Sequence, residues 1–412
     1  MAEKLVHKSR IIQYNLHSVL GFLLLFFLFV SFYLIGDNSD GVNFLAIHKS
    51  TRKNSSPKCD LFSGRWIFDN VSYPLYKEKQ CSFMPDDFAC HKFGRKDSKY
   101  HYWRWQPYHC DLPRFNAKGL LEKLKGKRVL FVGDSLNKNQ WASMVCLIES
   151  SGIPSLNPPI WKGNLITFEV KEYNATVDFY WSPLLVESNC DDPVEHRVRD
   201  RIIRVEAIEK HARHWIDADI LIFDSFTWWL ESHMTLQWGS FNSSDAIHKK
   251  VEMKLRRYEM ALRTWSDWLE FQIERKRTKL FFMSLSSSHK NGTDWGRGND
   301  QNCYGETEPI SRREYWGNES DINMMQIAEA SVNDLKRKGL DIQYLNITQL
   351  SEYRKDGHPS IYKRNWVAPT KEQLLNPRKN SDCVHWCLPG VPDVWNQILY
   401  AYIMDSSREL NE

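Results

Sequence analysis

The 412-residue chain lacks a marked excess of either charge: 55 Lys and Arg stand against 51 Asp and Glu, a formal net charge of +4. A balance that mild provides no concentrated basic face, so no nucleic-acid partner is expected. Glycine (19) and proline (16) are scarce and no internal repeat is present, which excludes collagen-like, low-complexity and solenoid architectures. There is no Gly-x-Ser-x-Gly elbow, no His-Glu-x-x-His pair and no Walker loop, and no Cys/His cluster has zinc spacing. No metal is therefore expected. Cysteine is missing from the first 58 residues, and no Lys, Arg, Asp or Glu occurs between Ile11 and Gly36.

What is present places the chain among globular proteins: 42% hydrophobic and 26% charged residues, with an unusual 17 Trp and 17 Tyr. Within the uncharged stretch, Val19 to Ile35 is unbroken enough in its apolar character to cross a bilayer once its flanks are included. Lys4, Lys8 and Arg10 precede it, while Asp37 and Asp40 follow. The positive side stays cytosolic, so the expected order is a cytosolic tail (1–17), a signal anchor (18–36) and a luminal stem (37–57). A cleaved signal peptide is the alternative, disfavoured because no small-x-small site directly follows. Sequons at Asn54, Asn70, Asn174, Asn242, Asn291, Asn318 and Asn346 agree with a luminal body. So do nine cysteines confined to it, where disulfides persist.

Residues 58–114 hold four cysteines and many aromatics without helical periodicity, the pattern of a disulfide-stapled, loop-rich unit. From 115 onward strands and helices alternate. Apolar runs at 127–133, 177–181, 219–223, 279–285 and 341–347 read as strands. Helices are expected over 136–150, 247–275, 319–337 and 391–403. That alternation predicts an α/β fold, a parallel sheet with helices on both faces.

Two short motifs carry chemistry. Gly133-Asp134-Ser135 follows the first strand and opens a helix, which sets a hydroxyl at the carboxyl edge of the sheet where ligands collect. Taken alone, the tripeptide is a weak signal and reads first as a turn in which Asp134 or Ser135 caps the helix. Asp382-Cys383-Val384-His385 spaces a carboxylate and an imidazole three residues apart. Asp382 either orients His385 for proton transfer from Ser135 or serves structure only. A serine on the first strand-to-helix turn, with aspartate and histidine on one late segment, is the arrangement of SGNH (GDSL) hydrolases and transferases.

Together with CDLFSGRW (59–66), YHYWRWQPYHCDLPRF (100–115), VGDSLNKNQW (132–141), FDSFTWW (223–229) and DCVHWCLPGVPDVWN (382–396), these motifs make the chain resemble the plant trichome-birefringence-like polysaccharide O-acetyltransferases from Cys59 to its end. The resemblance implies an SGNH-like α/β/α sandwich with a small cysteine-rich N-terminal domain, anchored in the Golgi membrane as a single-pass type II protein. It assigns catalysis to Ser135, His385 and Asp382. It implies disulfides Cys59–Cys110, Cys81–Cys146, Cys90–Cys387 and Cys303–Cys383, with Cys190 free. The acceptor is expected to be a wall polysaccharide, xylan by the segments around Trp238 and Cys303. No cofactor is expected to stay bound, the acetyl coming from a donor such as acetyl-CoA or another acetylated carrier. The rivals are an acetylesterase with the same triad and a non-catalytic glycan binder.

Gly133, Asp134, Lys138, Trp229 and His289 are the further candidates for substrate binding. Lys138 stands where the family more often has Arg, and Asp224 where many relatives carry Asn. Trp103, Trp105, Trp228, Trp229 and Trp238 are either sugar-stacking platforms or core. The arginines at 197, 199, 201 and 204 either meet an acidic glycan or form a solvated strand edge.

Overall fold

A computed structural model describes residues 59–405, apart from 154, 155, 233, 250–252 and 276. The expected tail, anchor and stem, with Asn54, lie outside these residues. Among the described residues no helix is long and apolar enough to cross a membrane.

The central strand shows why the layers form. In β3 (Arg128–Gly133), Val129 and Phe131 point into one core, while Leu130 and Val132 point into the other. A strand apolar on both faces must be covered on both. On one side lie the helices Ser135–Glu149 and Val391–Met404. On the other lie Lys254–Gln272 and Ile322–Arg337, packed against each other.

The main sheet runs β13 (Ile342–Leu345), β12 (Lys279–Met283), β9 (Ile220–Asp224), β3, β6 (Ala175–Trp181), β5 (Leu165–Val170), β4 (Ile160–Lys162). The first five strands are parallel, but β5 pairs antiparallel with β6, and β4 antiparallel with β5. The expected all-parallel sheet is thus a mixed one. Its β5 carries a clean alternation in which Ile166, Phe168 and Val170 are buried, a period-two signal legible in the sequence. A second sheet is ordered β11 (Ile247–Lys249), β10 (Met234–Trp238), β8 (Arg201–Arg204), β7 (Glu187–Ser188), and β1 (Gly64–Phe68) pairs β2 (Trp103–Pro107). The helix expected from residue 247 starts at Lys254, because Ile247–Lys249 pairs antiparallel with β10 and extends the second sheet instead.

The four disulfides are Cys59–Cys110, Cys81–Cys146, Cys90–Cys387 and Cys303–Cys383, and Cys190 is buried and free. Cys81–Cys146 fastens the cysteine-rich segment to the helix Ser135–Glu149, Cys90–Cys387 fastens it to the segment that precedes the helix Val391–Met404, and Phe88 and Trp105 from it enter the same core as β3. Asp393 reinforces this junction, accepting from Ser143 Oγ (2.6 Å) and Tyr76 Oη (3.0 Å). Burial pushes the Asp393 carboxyl up to about 6. Cys90–Cys387 closes a loop of 297 residues. Cys90→Ser with Cys387→Ser is expected to cost about 2–5 kcal/mol of stability, checked by denaturant unfolding of the variant beside the parent.

Candidate active site

The Gly133–Ser135 turn is built by a close approach that only glycine allows. A Cβ on Gly133 would stand 2.4 Å from the Asp224 carbonyl oxygen and 2.9 Å from Asn137 Cβ. β3 and β9 therefore approach closely at their carboxyl ends, where the chain turns into the helix beginning at Ser135. Asp134 is the N-cap, its Oδ1 accepting from Leu136 N at 2.8 Å. Gly133→Ala is expected to lower stability by several kcal/mol, because the Asp224 carbonyl it would strike is main chain that cannot swing aside; a thermal melt reads this directly.

Ser135 Oγ donates to His385 Nε2 at 2.8 Å, and His385 Nδ1 donates to Asp382 Oδ2 at 2.8 Å. Asp382 Oδ1 accepts from the backbone N–H groups of Val384 and His385, both at 3.0 Å. The carboxylate thus folds its own turn and orients the ring with its two oxygens. Burial disfavours ionising Asp382, but the His385 imidazole and the hydrogen bonds outweigh it and hold the carboxyl well below its usual range. Burial likewise opposes charging His385, and the Asp382 carboxylate overcomes it, raising the imidazole above its ordinary value.

This turn is clamped from several directions. Cys303–Cys383 and Cys90–Cys387 fix its two flanks. Ser360 and Asp382 exchange backbone hydrogen bonds at 2.9 Å. Asn139, one helical turn beyond Ser135, accepts from Trp386 N (2.7 Å) and donates to Trp386 O (3.2 Å). The helix that opens at Ser135 therefore holds the backbone next to His385. His358 Nδ1 donates to the His385 carbonyl at 2.7 Å, and its Nε2 meets His289 Nδ1 at 2.7 Å.

The further candidates separate. Gly133 and Asp134 shape the turn, as above. Lys138 is half-buried with its ammonium 5.2 Å from the Trp161 ring centre, and burial lowers its pKa. Trp229 is not at the site: it is 0% exposed, packed in the core behind β9 and donating to Ser225 Oγ at 3.1 Å. His289 is also not on a site edge; it is buried behind His358 and bonded to the Glu352 carbonyl at 2.8 Å. Trp105 belongs to the core, and Trp238 bonds Glu206. Trp228 is half-buried against Trp181, with Arg201 over its ring at 4.2 Å. Because Trp181 pairs in register with Gly133, this aromatic cluster adjoins the Gly133–Ser135 turn. Arg204 is taken by Glu187 and the Gly239 carbonyl. Asp224, buried at the end of β9, is driven well above the ordinary carboxylate range by burial and by Asp134.

Asn139 and His358 were not singled out from sequence. Asn139 had a signal, since four residues after Ser135 is the same helix face. His358 had none, because its partner lies on another segment. Among the described sequon residues, Asn70, Asn174, Asn242, Asn291 and Asn318 are exposed, whereas Asn346 is half-buried. Among the described residues no cluster of His, Cys, Asp or Glu could hold a metal ion.

Comparison with known proteins agrees with this geometry. Residues 112–402 match the GDSL/SGNH-like acyl-esterase family found in Pmr5 and Cas1p, and residues 57–111 match the PMR5 N-terminal domain. The chain is 56% identical over 357 residues to trichome birefringence-like protein 34 of Arabidopsis thaliana, covering 85% of this chain and 86% of that one. It is 49% identical over 375 residues to xylan O-acetyltransferase 14 of Oryza sativa subsp. japonica, covering 86% and 79%. Xylan O-acetyltransferase 13 of the same rice is 50% identical over 350 residues, covering 84% and 70%. A serine at the mouth of the sheet, a histidine and aspartate delivered by the last segment, and matches that span both regions lead to one conclusion: the chain belongs to the trichome-birefringence-like branch of the GDSL/SGNH-like acyl-esterase family.

Proposed function

We propose that this protein is a xylan O-acetyltransferase acting through an acetyl-serine at Ser135. The observation that carries the reading is the unbroken relay Ser135–His385–Asp382, with 2.8 Å at each step, joined to the kinship with named xylan O-acetyltransferases. In the first half-reaction His385 Nε2 takes the Ser135 proton as Oγ attacks the acetyl carbonyl. The carbon–leaving-group bond then breaks, and the imidazolium returns its proton to the departing donor. In the second, a xylosyl hydroxyl gives its proton to His385 and attacks the acetyl carbon, and Ser135 leaves with that proton. Asp382 stabilises the imidazolium in both halves without itself becoming protonated. The first-turn amide of the helix at Ser135 supplies a donor for the developing oxyanion. Transfer instead of hydrolysis depends on a positioned acceptor hydroxyl outrunning water, and the Trp181–Trp228–Arg201 cluster beside the nucleophile turn is a suitable surface for holding a sugar.

The same reading takes acetyl-CoA or another acetylated carrier as donor, with no resident cofactor. It places the body, a cysteine-rich domain (58–114) and an acyltransferase domain (115–412), in the Golgi lumen on a type II anchor at 18–36, with the exposed sequons glycosylated. The test is acetyl transfer to xylo-oligosaccharides, with free acetate measured in the same tubes. Acetylated xylosyl product is expected. Acetate release indifferent to acceptor would make the protein an esterase, and modification of mannan or pectin oligomers alone would remove xylan from the assignment.

A further inference from the structure

Away from the serine lies a groove of about 800 Å³, between the β1–β2 strand pair and the 308–314 loop. Ser135, Asp382 and His385 do not line it. Its volume falls within the roughly 300–1,000 Å³ typical of ligand sites. Its walls combine aromatic rings, Trp66, Trp103 and Tyr108, with three arginines, Arg65, Arg312 and Arg313.

Two of the three rings are held by neighbouring groups. Trp66 donates Nε1–H to the Leu350 carbonyl at 2.7 Å, and the Arg354 guanidinium stands 4.4 Å from its ring centre. Trp103 meets Phe68 edge-on at 5.3 Å. Tyr108 is 56% exposed. The charge is unbalanced in one direction. Arg65 and Arg313 are exposed and have no acidic partner among the described residues, and Arg312 lies over the Tyr315 ring at 4.7 Å. Of the two acids on the wall, Glu308 is already bound by Lys99 at 2.6 Å. Guanidinium forks match planar carboxylates, and flat rings take the apolar faces of sugars.

We infer that this groove is a second glycan-binding site, taking a uronate-bearing stretch of the polysaccharide acceptor with its carboxylate on Arg65 and Arg313. The sugar part of this inference rests on the acceptor proposed above. The groove is also joined to the catalytic turn through the segment beneath it: Trp66 rests on Leu350 and Arg354, Arg354 binds Asp356, Gly357 O accepts from Cys387 N, and His358 bonds the His385 carbonyl. A chain held here raises the local concentration of its own neighbouring hydroxyls, the gain expected of a second attachment point.

The test is equilibrium binding to the full-length protein without acetyl donor. The probes are xylo-oligosaccharides bearing one glucuronate and neutral ones of equal length. The acidic oligomer is expected to bind at least about tenfold tighter, weakening with salt, and to quench tryptophan fluorescence. Arg65→Gln with Arg313→Gln is expected to abolish that preference, leaving neutral binding and transfer to short neutral acceptors unchanged. Equal binding of both oligomers by the parent protein, or an undiminished preference in the double variant, overturns the inference. If the arginine-dependent preference is seen but no xylosyl acetylation occurs, the groove stands and the acceptor reading alone fails.

Discussion

Ser135→Ala is expected to reduce acetyl transfer by about 10⁴- to 10⁶-fold, the scale of loss when a relay of this type is deprived of its nucleophile. The change removes one hydroxyl whose recorded partner is His385, so melting temperature should shift little. The two effects separate chemistry from folding. Because the three groups act as a unit, Ser135→Ala combined with His385→Ala should be scarcely slower than either alone. Steady-state transfer assays with a matched thermal melt decide the matter. A Ser135→Ala protein retaining a tenth of the parent rate would remove Ser135 from the mechanism and leave a binding protein in its place.

Asp382→Asn should cost roughly 10⁴-fold in kcat, and the reason is directional. Asp382 Oδ1 accepts two backbone N–H groups while Oδ2 accepts from His385 Nδ1. An asparagine that keeps its oxygen on the backbone amides must turn its NH₂ toward the ring. His385 then places its proton on Nε2, where it cannot accept one from Ser135. The pH profile carries a second signature. In the proposed mechanism the neutral imidazole is the base, so activity is expected to rise as pH passes upward through the His385 pKa, which in the parent lies above its ordinary value because of Asp382. Removing the carboxylate should move this acid limb to lower pH while the plateau falls. A variant whose limb stays in place would show that some other group sets the profile.

How far the chain could be read in advance varies with the range of the interactions involved. β3, β9 and β12 were legible because each is a short apolar run buried on both faces. Ile247–Lys249 was not, since a three-residue exposed strand is defined by pairing with β10, and its charged, amphipathic sequence continues smoothly into the helix at Lys254. Trp229 shows the same limit. Two adjacent tryptophans invite a sugar-binding reading, yet only packing shows that Trp229 faces Tyr258 in the core while Trp228 turns toward Trp181. His289 occupied a plausible loop at a strand end, but a contact with His358, 69 residues away, draws it behind the site.

The order of residues alone determined the chemistry available: a hydroxyl after the first strand, a carboxylate and imidazole at fixed spacing, and cysteines confined to the segment after residue 58. Those features depend on spacing along the chain, which is written in the primary structure. Tertiary structure decided which groups meet and which are covered. The 2.8 Å contact between Ser135 and His385 joins residues 250 positions apart, and the aromatic, arginine-lined groove is assembled from the β1–β2 strand pair and a loop more than 200 residues downstream. Such contacts exist because burial of the strand faces forces distant segments together, and no local preference encodes them.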